Sequence, residues 1–134
     1  MKKLVQLKNK EQENLDPINI NYEKRILNLE GTVLYENSAG TTENFNLNDS
    51  IANYDHYEII FKNVFGYMNS IKSQSKSSSL VIHYLIEHNY VCTGCRCIIS
   101  GTQVTLDTFF VAVNGTITDE VDKYISIVKI IGYK

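Results

Sequence analysis

Three cysteines fall within nine residues, in the run VCTGCRCII from Val91 to Ile99. Cys92 and Cys95 form a Cys-x-x-Cys, and Cys97 follows two residues on. A structural zinc site needs four ligands, usually as two pairs. Only one pair is present, so the fourth ligand would come from His56, His83 or His88, and His88 precedes Cys92 by four residues. A redox pair would want its first thiol at a helix N-terminus, where the dipole favours the thiolate, and no helix is predicted after Cys95. The third reading is a β-strand that happens to contain thiols. It sets Cys95 and Cys97 on one face with Arg96 on the other, and makes Thr93-Gly94 a tight turn between Cys92 and Cys95. That reading is favoured, and neither a metal nor a cofactor is expected.

The other groups able to do chemistry are dispersed. His56 and His83 lie in strand-like runs. Glycoside hydrolysis needs two facing carboxylates. Asp49, Asp55, Glu58, Asp107, Asp119 and Glu120 are available, but spacing alone pairs none of them. No Gly-x-Ser-x-Gly, His-Glu-x-x-His, phosphate-binding or dinucleotide motif occurs, so no catalytic residue is assigned. Tyrosine is the enriched aromatic, nine against five phenylalanines and no tryptophan. Tyr67, Tyr90 and Asn69 fall in or near predicted loops, where tyrosine can stack on sugar rings. Tyr35, Tyr57 and Tyr124 alternate in a way that suits core or intersubunit packing instead.

These residues must be positioned by strands. The 134-residue chain is 43% hydrophobic and 21% charged, with net charge −2. That suits one globular domain with its own core. It supplies no basic field for nucleic acid or an anionic membrane. Lys72 and Lys76, in KSQSK, form a local cluster expected in a solvated loop or edge strand. Alternating apolar residues predict strands over 25–37, 43–49 and 54–65, with NSAGTT (37–42) as a turn. Residues 79–92 read as one long strand in preference to a short helix. Ser100-Gly101 and Asn114-Gly115 are turn signals, the second the strongest hairpin dipeptide available. Residues 123–134 read as a final core strand. The expectation is an all-β fold, an antiparallel, jelly-roll-like β-sandwich over 23–134. The polar residues 1–22, with the only proline, Pro17, are expected to form an extended N-terminal arm.

Three segments carry a resemblance. KKLVQLKNKEQENLDPI (2–18) resembles the opening of bacteriophage tail-fibre and baseplate proteins. GTVLYENSAGTTENFNLNDSIANYDHYEIIFK (31–62) is similar to a recurrent segment of phage tail appendage domains, and YISIVKIIGYK (124–134) to their ending. The resemblance implies a non-enzymatic accessory domain of a phage tail or prophage-derived tail-like particle. It implies a homotrimer that contacts other tail or baseplate proteins, with recognition of a host cell-surface polysaccharide as the alternative role. It carries no catalytic residues. The N-terminus lacks the apolar stretch of a secretory signal and no run spans a bilayer. Assembly in the bacterial cytoplasm into a virion or tail-like particle is therefore expected.

Overall fold

The computed structural model describes residues 31–119 and 122–134. The expected arm (1–22), the first residues of the 25–37 strand, Glu120 and the side chain of Asp119 lie outside the described residues. The described chain is an antiparallel β-sandwich. Its strands are β1 (Thr32–Thr41), β2 (Phe45–Asn46), β3 (His56–Asn63), β4 (Met68–Ser73), β5 (Ser77–Ile86), β6 (Asn89–Ser100), β7 (Gln103–Val113), β8 (Thr116–Asp119) and β9 (Ile125–Tyr133). One sheet runs β1-β9-β3-β4. The other runs β2-β7-β6-β5, with β8 also on β7. β9 returns between β1 and β3, so the C-terminus closes the first sheet across the length of the chain.

Period-two alternation explains the layers. Tyr57, Ile59, Phe61 and Asn63 point inward from β3 while their neighbours are half-exposed. Leu80, Ile82 and Tyr84 do the same from β5 and Thr93, Cys95, Cys97 and Ile99 from β6, while on β9 Ile125 and Ile127 alternate and an extra residue between Ile127 and Lys129 resets the pattern so that Ile130 also points inward. Branched and aromatic side chains stand off both pleats and fill one shared core.

Turn chemistry settles some boundaries and not others. Asn114 (φ 49°) and Gly115 (φ 87°) make the expected two-residue hairpin between β7 and β8. The predicted single strand over 79–92 is instead two, β5 and β6, reversed at Glu87 (φ 47°) and His88 (φ 70°). Neither residue favours the left-handed region, so ten paired residues on each side impose the turn. Placing Asn-Gly at 87–88 should raise stability by about 1 kcal/mol, since L-residues other than Asn and Gly lose roughly 1–2 kcal/mol there. A urea midpoint that fails to rise would remove that account of the turn.

NSAGTT is not a hairpin turn. It lies at the end of β1, where five steps on β1, Glu36 to Thr41, face two on β9, Lys129 to Ile127. The turn chemistry is used locally: Ala39 N–H donates to Asn37 Oδ1, and Gly40 has φ 88° beside Ser126. The predicted 43–49 strand shortens to the two residues of β2. β4 answers to the prediction only at its end, where Lys72 and Ser73 of KSQSK lie in an edge strand; the rest of MNSIKS has little apolar alternation and its pairing with β3 is what defines it.

Candidate functional site

Thr93-Gly94 is not a turn. It lies in the middle of β6, paired with Ile82 and Val81 on one side and with Val111 and Phe110 on the other. The strand stays regular there, and the extra residue of a bulge falls on β7, where three steps (Phe110 to Asp107) face two (Gly94 to Arg96). Thr108, at φ 53°, sits in that bulge. Gly94 is needed because the Phe110 ring lies over it. A Cβ there would come within 2.5 Å of the ring and 3.0 Å of the Leu80 carbonyl.

Regular alternation decides the cysteines. A three-residue spacing in a strand puts two side chains on opposite faces. Cys95 and Cys97 are buried between the sheets, while Cys92 is on the outer face and half-buried. Arg96 points outward from Cys95 and Cys97 as expected, and forms a bidentate pair with Asp107 at 2.7 Å for both contacts. The Cys-x-x-Cys pair is thus divided by the sheet. His83 stands opposite Cys92, but among the described residues no three His, Cys, Asp or Glu side chains gather as a metal site. Burial pushes Cys95 and Cys97 up to about 12, with each other's charge and that of Asp107 as lesser causes at Cys95. Burial also raises Cys92. A colorimetric disulfide reagent should therefore titrate one thiol, Cys92, in the native protein and all three after unfolding. Rapid native labelling of three would contradict this placement.

Three of the carboxylates singled out from sequence are each engaged separately. Asp49 accepts from the Tyr54 hydroxyl, Ser50 N–H and the Asn53 amide, in that order the main causes that hold it below its usual value. Asp107 is held low by the Arg96 guanidinium. Glu58 accepts from the Tyr133 hydroxyl at 3.2 Å. Asp55 and His56 line a cleft of about 320 Å³ with Tyr57, Gln74, Ser75 and Lys76. There the His56 ring stacks on Tyr133, with centroids 4.9 Å apart.

The other end of the sandwich is different. Nine of the ten large apolar side chains exposed among the described residues gather there: Val64, Phe65, Tyr67 and Met68 at the β3–β4 turn, Leu85, Ile86 and Tyr90 around the β5–β6 turn, and Val113 and Ile117 around the β7–β8 turn. Side chains join the turns. Asn63 Oδ1 accepts from Phe65 N–H and Tyr67 N–H, and Val64 N–H donates to the Tyr124 carbonyl. The Phe65 ring stacks near Tyr124 (6.3 Å) and tilts onto Tyr84 (5.5 Å), and Tyr67 stacks on Tyr84 (5.1 Å). Burial, then the neighbouring Tyr124 and Tyr67, raises the Tyr84 hydroxyl. Tyr90 exchanges hydrogen bonds with Asn114, whose amide also reaches Asn89 Oδ1, and the Tyr90 hydroxyl bonds His83 Nδ1.

Of the tyrosines singled out from sequence, Tyr67 and Tyr90 are exposed at this end. Asn69 is the second residue of β4, beside the β3–β4 turn, and its amide donates to the Val81 carbonyl. Tyr57 is core, Tyr35 packs on Phe45 at 3.9 Å, and Tyr124 is half-buried at the aromatic end. Phe65, Met68, Leu85, Ile86 and Ile117 went unmarked by sequence reasoning. Their signal was there, since large apolar residues flank the reversals in NVFGYM (63–68) and LIEHNY (85–90). The fold and this site define an all-β sandwich with one apolar, aromatic end. Comparison with protein-family models, with curated proteins and with solved structures found no match.

Proposed function

We propose that the chain is a non-enzymatic structural module of a phage tail or tail-like particle that assembles with further copies of itself through its aromatic end. The supporting observation is the concentration of exposed apolar side chains at three adjoining turns. Contiguous apolar surface on a water-facing tip marks a contact. The tail resemblance of residues 2–18, 31–62 and 124–134 supplies the setting: assembly in the bacterial cytoplasm, a homo-oligomer that the resemblance makes a trimer, and other tail or baseplate proteins as neighbours. Light scattering on the intact chain should give a multiple of the chain mass, and Phe65→Ser with Met68→Ser should lower it. A monomer at all concentrations would remove the reading.

A second reading is recognition of a host-surface polysaccharide by the same end. Tyr90 and the neighbouring Asn89 and Asn114 amides offer an aromatic ring beside uncharged donors and acceptors, the combination sugars stack and bond on. A pull-down on purified cell-wall polysaccharide that retains no protein would discard it.

A further inference from the structure

A sandwich has sheet edges, and each must be blunted or paired. The register of β1 is broken twice, and the strand carries Glu36. β4 carries Lys72. The outer edge of β7 is met by β2 at one end and β8 at the other, with Asn44 Oδ1 accepting the Leu106 N–H between them. Among the described residues β5 has no bulge, no charged side chain and no flanking strand on its outer edge, which only two side-chain caps reach. SSSLVIHYLI pairs with β6 in unbroken register from Ser77–Ile98 to Ile86–Asn89, with no proline and no formal charge.

The direction of its free backbone groups follows from one bond. Ile99 N–H donates to the Lys76 carbonyl, so the even-numbered residues of this strand face β6. Ser79, Val81, His83 and Leu85 therefore turn their N–H and C=O outward. The Val81 carbonyl takes the Asn69 amide, and Ser77 N–H is met by Ser75 Oγ. Among the described residues, the outward groups of Ser79, His83 and Leu85 meet no partner. Their side chains are exposed, Leu85 by 70%, and at Leu85 this edge runs directly into the aromatic end.

We propose that a second copy of this chain lays its own β5 antiparallel against this edge about a two-fold axis, joining the two β2-β7-β6-β5 sheets into one. The inference rests on the reading that the chain assembles with copies of itself, and replaces the trimer that the resemblance implies with a two-fold pair whose contact runs along β5 into the aromatic end. Self-pairing about a two-fold brings a strand against itself, so any charge it carries is set close to its own copy. Glu36 on β1 and Lys72 on β4 oppose that, and β5 has no such charge. Backbone pairing supplies the affinity, and Leu85 with Ile86 adds apolar contact continuous with the aromatic end.

The test is Ser79→Lys with Leu85→Lys, two exposed positions at which lysine leaves the core untouched. Light scattering should give wild type as an even multiple of the chain mass and the double variant as one chain with an unchanged circular dichroism spectrum. Amide exchange on wild type gives an independent reading. The Ser79, Val81, His83 and Leu85 amides should be protected at high concentration and lose that protection on dilution. Wild type that is a trimer, or an even oligomer that the lysines leave intact, would overturn the β5 contact and leave the assembly reading standing. A wild-type monomer with these amides unprotected would overturn both.

Discussion

Truncating Phe61 to alanine is expected to cost about 3–5 kcal/mol of folding stability, the range for a large aromatic lost from a packed interior. Phe61 is fully buried in β3, flanked by Asn69 on β4 and Ile127 on β9, with its side chain in the core shared with the facing sheet. Sandwich layers cannot close onto the vacated space without moving the strands, so the lost contacts are not recovered. A domain of this size has roughly 5–15 kcal/mol in all, which makes the loss a large share. Val33→Ala, at a side chain 42% exposed on β1, should change stability by only about 0.5 kcal/mol. Urea midpoints of the two variants measure the difference. Equal effects would mean that β3 does not run through a shared core.

The second large effect is loss of stability in alkali. Burial favours the neutral thiols, so Cys95 and Cys97 ionise at about 12 in the folded chain against an ordinary value of 9.0. A group whose folded value is raised contributes stability that is complete below the unfolded value and is lost as pH rises toward the folded one. The window is therefore pH 9 to 12, with roughly 1 kcal/mol lost per pH unit for each thiol. Burial also raises the Tyr54, Tyr84 and Tyr133 hydroxyls, which adds to the same trend. Urea midpoints measured from pH 8 to 11 should fall steeply for wild type. Cys95→Ala with Cys97→Ala should start lower and fall less. An unchanged slope would assign the whole effect to the tyrosines.

How far the sequence could be read depended on the range of the interaction that decides each feature. Asn114-Gly115 declares its turn, because two residues that tolerate positive φ are enough to reverse a chain. Glu87-His88 declares nothing, since its left-handed backbone is imposed by the pairing of β5 with β6. The Cys-x-x-Cys was legible in part. Burial of Cys95 and Cys97 with Arg96 outward followed from alternation alone. Thr93-Gly94 makes no turn, because Gly94 serves contact with Phe110 and not a reversal, and Phe110 arrives from another strand across a bulge. Had the strand been drawn through Gly94, the same alternation would have placed Cys92 and Cys95 on opposite faces.

The sequence by itself determined the class: alternating apolar residues and turn dipeptides allow sheets that share one core and leave no period for long helices. Only the tertiary structure decided what those sheets present. Phe65, Tyr67, Leu85, Tyr90 and Ile117 lie in separate segments, and it is strand order and register that bring their turns to one end. The same packing leaves β5 as a regular, uncharged edge while β1, β4 and β7 are bulged, charged or covered. Alternation along a strand is local and can be read from neighbouring residues. Which ends meet and which edge stays open depends on pairing between residues far apart in the chain, and no short stretch of sequence contains that.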